Sequence, residues 1–458
     1  MSDGGDEDAH GSPVPAFRTR AAHAGEDANA AIRPLSEPVA QASVYAFRDP
    51  ADADARLAAD HQLASDPAEP TYSRDGLLNA TSLERAIADL EGAEAAHATA
   101  SGMAAIALVF LANLSAGDHL VVSSDVHCDV EALLTEELAR FGVGAAFVDL
   151  TDLDAVRAAM GPRTRIVYGE TISNPAMKLV DLPALARIAH AGSSGGVDGS
   201  SVGAGEALLV IDNTFATPAL CRPLEHGADL VVHSATKFLG GHHDLSAGVV
   251  CGRAGPVGRV HRAGYLYGPT VAPLDAWLAV RGIKTLAPRM AWASETAGAV
   301  ARYLDRHPAV KSVRYPGLPG HTQAELAHRL LPDGGGAMLA FDVGAGPAAA
   351  ELAIRSLSAI PYALSLGGTV TTVCYPPRAM PTADPNGHAN GRVDGSGSPN
   401  GSANGSSRRR SATLRLSIGL ESADDLIADL GQALDRTLRD VELVGAGRAA
   451  TGEFDFSI

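Results

Sequence analysis

"ALLVIDNTFATPALCRPLEHGADLVVHSATKFLGG", residues 207–241, holds two apolar runs that each end in polar side chains. Leu208–Ile211 is closed by Asp212, and Leu230–Val232 leads through His233 to Ser234, Thr236 and Lys237. Short unbroken apolar runs with turn formers behind them suit strands buried on both faces, as in parallel sheets covered by helices. The pattern recurs in "DHLVVSSD", "GAAFVDL", "RIVYGET" and "AGVVCG". Helical segments such as "VEALLTEELARFG" (130–142) and "LPALARIAH" (182–190) separate several of these runs. Residues 81–91 add a helix with Leu83, Ala86, Ile87 and Leu90 on one face. Alternating strands and helices predict an α/β fold around a mostly parallel sheet.

The pattern changes beyond a long helical stretch over 272–307. Strands in "SVRYPG", "GAMLAFDVG" and "LRLSIG", with helices at 347–357 and 422–438, predict a smaller α+β domain. The expected divisions are a disordered tail (1–15), an irregular N-terminal arm (16–76), a large domain (77–288) and a C-terminal domain (289–458). Two Gly/Ser/Asn-rich stretches, 191–207 and 385–410, read as flexible insertions in surface loops.

At 458 residues and 46% apolar content the chain can bury large cores, and its net charge of −17 argues against a nucleic-acid partner. Four cysteines lie far apart without a CxxC pair, so neither a disulfide framework nor a zinc site is expected. The acidic start "MSDGGDEDAHGSPVP" does not read as a signal peptide, and no run reaches the ~18 apolar residues of a spanning helix. A soluble, cytoplasmic protein with no membrane association is expected.

The chain has only four lysines, Lys178, Lys237, Lys284 and Lys311. Arginine supplies nearly all the other basic side chains, and it cannot lose its proton to act as a nucleophile. Lys237 stands where a strand ends, and in open α/β sheets ligands sit beyond the carboxyl ends of strands. Asp212 ends the preceding strand, and "ATASGMAAI" offers a small-residue turn, Ser101–Gly102–Met103, opening a helix whose exposed N–H groups suit a phosphate. Lysine, carboxylate and phosphate cradle together point to pyridoxal phosphate. Its aldehyde needs a lysine for a Schiff base, its ring nitrogen a carboxylate, and its phosphate donors such as Ser234 and Thr236.

"YSRDGLLNATSLERAIADLEGAEAAHATASGMAAI", "GETISNPAMKLVDL", "IDNTFATP", "HSATKFLGGHHD" and "LRLSIGLESADDLIADL" closely resemble the Cys/Met-metabolism family of PLP enzymes, from about Phe17 to Leu434. That group holds cystathionine γ-synthase and γ-lyase, methionine γ-lyase and O-acylhomoserine sulfhydrylases. The resemblance implies PLP fold type I (aspartate-aminotransferase-like), with a seven-stranded-type sheet. It implies that Lys237 is the Schiff-base lysine and proton shuttle, Asp212 the partner of the pyridine nitrogen, and Asn174 the residue hydrogen-bonded to the ring hydroxyl. Ser101, Gly102, Met103, Ser234 and Thr236 match the phosphate cradle. Tyr72 and Arg74 match a pair that reaches a neighbouring subunit's phosphate, which implies a homotetramer with shared sites and an arm that contacts the neighbour. Arg415 matches the clamp on the substrate carboxylate, with Ser365 beside it.

The departures bear on the substrate. His127 stands where the family carries a tyrosine stacked on the cofactor, and histidine titrates near neutrality where a phenol does not. Leu364 replaces the glutamate that meets the distal ammonium of cystathionine and offers an apolar wall instead. The cysteine that methionine γ-lyases carry two residues after the tyrosine is absent, since Cys128 directly follows His127. A Lys-Asp pair is replaced by Gly264–Tyr265, and "YPPRAMP" stands for "HPAxMTH". The resemblance therefore implies a C–S lyase performing γ-elimination on a methionine-, homocysteine- or cystathionine-type amino acid. A γ-replacement transferase is the alternative, and a non-catalytic PLP-binding relative a third reading. His233, His242, His243 and Asp244 are read without a metal, Cys128 as a small filler beside His127, and Glu170 as a structural neighbour of Asn174.

Overall fold

The computed structural model describes residues 15–26, 34–59, 72–74, 76–191, 207–375 and 412–451. The expected tail, apart from Pro15, lies outside these residues, as do the insertion over 385–410 and all but the ends of the one over 191–207.

A seven-stranded sheet carries the larger part of the chain. Its strands are β1 (Ala95–Thr99), β2 (His119–Ser123), β3 (Gly144–Val148), β4 (Thr164–Glu170), β5 (Leu208–Asp212), β6 (Leu230–Ser234) and β7 (Gly248–Gly252), in the spatial order β1-β7-β6-β5-β4-β2-β3. The β3-β2-β4-β5-β6 block is parallel throughout, and β7 runs antiparallel to both β6 and β1. Alternate strand residues serve opposite faces. Val121, Val167, Leu209, Ile211 and Val231 pack into one core, while Leu120, Val122, Ile166, Tyr168, Val210 and Val232 pack into the other. Burial on both faces explains why these strands read as continuous apolar runs.

Strand order reverses between β2 and β4, from which the chain proceeds to β3 on one side and to β5 and β6 on the other. Such a reversal opens a crevice beyond the carboxyl ends of the two strands. His127 follows β2, and Glu170 ends β4.

The second sheet is four-stranded and antiparallel: β8 (Val310–Arg314), β9 (Met338–Val343), β10 (Thr372–Cys374) and β11 (Thr413–Ser417), in the order β10-β11-β9-β8. The helix Leu286–Arg306 joins the two layers, with Met290 in the core of the large sheet and Val300 and Leu304 in that of the small one.

Two expected helices take a different form. The stretch over 272–307 is two helices, Pro273–Ile283 and Leu286–Arg306. Gly282 lies so close to the 239–240 backbone that a Cβ there would sit 2.2 Å from the Gly240 carbonyl oxygen, and the chain turns at that contact. Residues 130–142 change from α (Cys128–Ala132) through a wide π turn (Leu133–Glu137) to a tight 3₁₀ turn (Leu138–Phe141), ending at Gly142 with φ +77°. No helix among the described residues is long and apolar enough to cross a membrane.

Candidate active site

A cavity of about 540 Å³ lies at the carboxyl ends of the parallel strands, under the small sheet. Ser101, Gly102, Met103, His127, Asn174, Asp212, Ser234, Thr236, Lys237, Leu364 and Arg415 all line it. Ser365 joins them through a 3.0 Å hydrogen bond from Lys237 Nζ to its Oγ. Tyr72 and Arg74 lie elsewhere: Arg74 donates to the Tyr265 carbonyl (3.0 Å) and stacks 4.3 Å over its ring, and Tyr72 is exposed.

Ser101 caps the helix Gly102–Asn113, its Oγ accepting from Ala104 N–H at 3.1 Å. This leaves the N–H groups of Gly102 and Met103 at the open end of the helix, beside the cavity. Position 102 must be small, because a Cβ there would stand 2.7 Å from Ser234 Cβ. The helix start and the end of β6 thereby form one cradle. Thr236 Oγ1 bonds the Ala247 carbonyl at 3.2 Å, which locks the Ser234–Lys237 turn to the segment before β7.

Behind the cradle a buried network pins the strand ends. Glu91 Oε1 stands 2.7 Å from His233 Nε2 and accepts from Asn213 Nδ2 at 2.9 Å, while Asn213 Oδ1 accepts from Thr171 Oγ1 at 2.7 Å. His233 and Asn213 flank Ser234 and Asp212 in sequence, so the network holds both functional positions from the rear. Asp212 Oδ1 accepts from Thr214 N–H at 2.9 Å. Burial raises the Asp212 pKa, opposed by Thr214 and by nearby His233 and His127.

Lys237 titrates below an ordinary lysine, because burial penalises its ammonium and the Arg415 guanidinium repels it. Arg415 reaches the cavity from β11, donating to Asn174 Oδ1 (2.9 Å) and to the Leu364 carbonyl (3.3 Å). Gly367 closes against the lysine from the small-sheet side. Its φ of +85° and the 3.0 Å that a Cβ would leave to Lys237 Cα both call for glycine.

Glu170 does more than the sequence indicated. Its Oε1 accepts from His127 N–H at 2.9 Å and its Oε2 from Asn174 N–H at 3.1 Å, so one carboxylate spans the crevice where strand order reverses. Burial and the charge of Asp212, its partner on the neighbouring strand, hold its pKa well up. Its place at the end of β4 was the available signal, since Asp212 was found by the same rule. Thr214 lines the cavity too and carried no signal beyond its proximity to Asp212.

The donor set suits pyridoxal phosphate: a lysine held toward its neutral form, a buried carboxylate, and N–H and hydroxyl donors around a cradle too tight for a side chain at 102.

The family model for the Cys/Met metabolism PLP-dependent enzymes matches residues 18–435. An L-methionine gamma-lyase of Porphyromonas gingivalis is 39% identical over 423 residues, 92% of this chain and 97% of the relative. A cystathionine beta-lyase, MetC, of Bacillus subtilis is also 39% identical, over 367 residues, 79% of this chain and 85% of the relative. Among solved structures, metB from Corynebacterium glutamicum matches with a TM-score of 0.77 at 30% identity, covering 92% of this chain and 98% of its own. The α/β architecture is therefore that of PLP fold type I.

Proposed function

The chain belongs to the Cys/Met-metabolism family of PLP-dependent enzymes, and from that premise we propose that it performs γ-elimination on a sulfur amino acid of the methionine or homocysteine type. At the coarser level it is a PLP-dependent C–S lyase or transferase acting on a small amino-acid substrate. Identity alone does not choose the bond, because two relatives at 39% carry γ-lyase and β-lyase names. The observation that carries the finer reading is Leu364. It lines the cavity with 77% of its surface exposed, next to the Arg415 that its own carbonyl holds. An apolar wall there favours a thioether or thiol side chain over one with a distal ammonium.

Bound in the cavity, pyridoxal phosphate supplies the aldehyde that takes the substrate amine and the electron sink for charge developing at Cα. The Ser101 turn, Ser234 and Thr236 would hold its phosphate, Asp212 would keep a proton on its ring nitrogen, and His127 would lie beside it. Arg415 grips the substrate carboxylate with its planar guanidinium. Lys237, its amine held toward the neutral form, would remove the substrate's Cα proton and then a Cβ proton. Ser365, 3.0 Å from Nζ, keeps the amine aimed. The γ sulfur leaves as a thiol, and hydrolysis yields a 2-oxo acid and ammonia. Tyr72 and Arg74, outside the cavity in a single chain, serve a neighbouring subunit's phosphate in a tetramer of shared sites.

The test is a product panel: methionine, homocysteine, cystathionine and O-acylhomoserines, each with and without added thiol. A 2-oxo acid formed from methionine without added thiol is expected. A new thioether formed only with thiol present, and no 2-oxo acid without it, replaces this reading with γ-replacement. Borohydride reduction of the holoenzyme should leave a pyridoxyl group on Lys237, and labelling elsewhere sinks the assignment of that lysine.

A further inference from the structure

We propose that His127, Cys128 and Asp129 form a binding site for one thiophilic divalent cation of the zinc class at the rim of the cavity. The three side chains place a nitrogen, a sulfur and a carboxylate oxygen within 4.8 Å of one another, and all three residues line the cavity. Zinc bonds to nitrogen, oxygen and sulfur set tetrahedral N–O and S–O edges of about 3.4 and 3.5 Å. His127 Nδ1 lies 3.6 Å from Asp129 Oδ2, and Cys128 Sγ lies 3.7 Å from Asp129 Oδ1. The two distances run to different oxygens of Asp129, so a turn of its carboxylate, which releases the Cys128 thiol hydrogen bond to Oδ1, brings one oxygen between nitrogen and sulfur.

A cation takes the His127 Nδ1 lone pair in place of one long hydrogen bond. Asp129 N–H donates to His127 Nδ1 at 3.3 Å, so that nitrogen carries the lone pair and the proton sits on Nε2. Nδ1 and Asp129 Oδ2 therefore face each other as two acceptors, an arrangement that a cation between them stabilises. The charges also balance. Cys128 gives up its thiol proton to solvent as the ion binds, and thiolate plus carboxylate match a charge of +2. Three protein ligands leave a coordination position for water or for a thiolate sulfur, such as that of a released product. The histidines of 233–243, where the sequence drew attention to metals, supply no such group among the described residues.

The site depends on the chain alone, so its test is independent of the substrate reading. Metal-stripped holoenzyme is dialysed against Zn²⁺ and, in parallel, Cd²⁺. Metal per chain and the sulfur-to-cadmium charge-transfer absorption are then measured. One ion per chain is expected, with the thiolate band present, because Cys221, Cys251 and Cys374 are buried. Cys128→Ser should abolish the band. Asp129→Asn, on a side chain 64% exposed and thus tolerated by the fold, should weaken binding at least ~10-fold, the cost of losing even an outer partner of a metal ligand. Substoichiometric binding by the unmodified protein overturns the proposal, and so does unchanged affinity in either variant.

Discussion

The two walls of the cavity are built on different principles. The strand-end wall, with Asp212, Ser234, Thr236 and Lys237, is anchored by a parallel sheet and backed by the buried Glu91–His233–Asn213 network. The rim wall, with His127, Asp129 and Leu364, sits on a loop, the first turn of a short helix and a bend, with the His127 side chain 43% exposed and Leu364 77% exposed. The first wall carries the residues that the family resemblance implies, and the second carries the departures from it. Residues locked into a sheet by neighbours on every side leave little room for change, whereas turn residues can be exchanged without repacking a core. Under the proposed function, chemistry common to the family belongs to the first wall, and choice of substrate to the second.

The largest effect is expected at the rigid wall. Lys237→Ala should lower kcat at least about a thousandfold, within the range for loss of a general acid–base group, as steady-state assays would show. Turnover near that of the unmodified enzyme would break the division between the walls. Arg415→Gln should raise KM about 10- to 100-fold, because a charge-assisted hydrogen bond contributes about 1.5–3 kcal/mol. The same change removes the positive charge that depresses Lys237. The lysine pKa then rises, and since only the neutral amine attacks an aldehyde, the pH profile for cofactor capture by the apoenzyme should move upward. A downward or absent shift contradicts the coupling.

Glu170 ties the two walls together, and its effect should be intermediate. Glu170→Gln leaves one of two buried N–H donors facing an amide N–H₂, a loss of about 1–3 kcal/mol in denaturant unfolding. Burial and Asp212 hold the Glu170 pKa well above its usual 4.5. A carboxyl raised in this way contributes stability below the ordinary range and loses it as pH climbs through the raised value. The gap between wild type and variant should therefore narrow with rising pH, and a widening gap would refute the account. The smallest effect belongs to the rim. Leu364→Glu should shift the kcat/KM ratio toward cystathionine over methionine by no more than about fivefold, because an exposed ion pair contributes at most ~1 kcal/mol. A shift toward methionine would show that Leu364 does not face the distal end of the substrate.

Much of this site was legible before folding because strand ends leave local marks. Asp212 and Lys237 each follow an apolar run, and Ser101–Gly102 opens a helix, so pattern alone placed them near a ligand. Arg415 was different. It lies 178 positions beyond Lys237, and only its resemblance to a family motif marked it. The bond from Arg415 to Asn174 depends on how the small sheet docks over the large one, which no local pattern encodes. Glu170 was assigned to a structural role near Asn174, and that contact exists. Its second bond, to His127, crosses from β4 to the loop after β2 and follows from strand order rather than from neighbours in sequence.

The sequence by itself determined the α/β class and the pyridoxal phosphate chemistry, and it marked Lys237 as the candidate lysine, because hydrophobic periodicity and the polar ends of strands are local properties. Only the tertiary structure decided that Glu170 bridges the two sides of the crevice and that Arg415 depresses Lys237. It also decided that the donors of three consecutive residues, His127 to Asp129, converge instead of splaying apart. Those facts depend on distances between side chains, which backbone torsions and the crossing of distant strands set together.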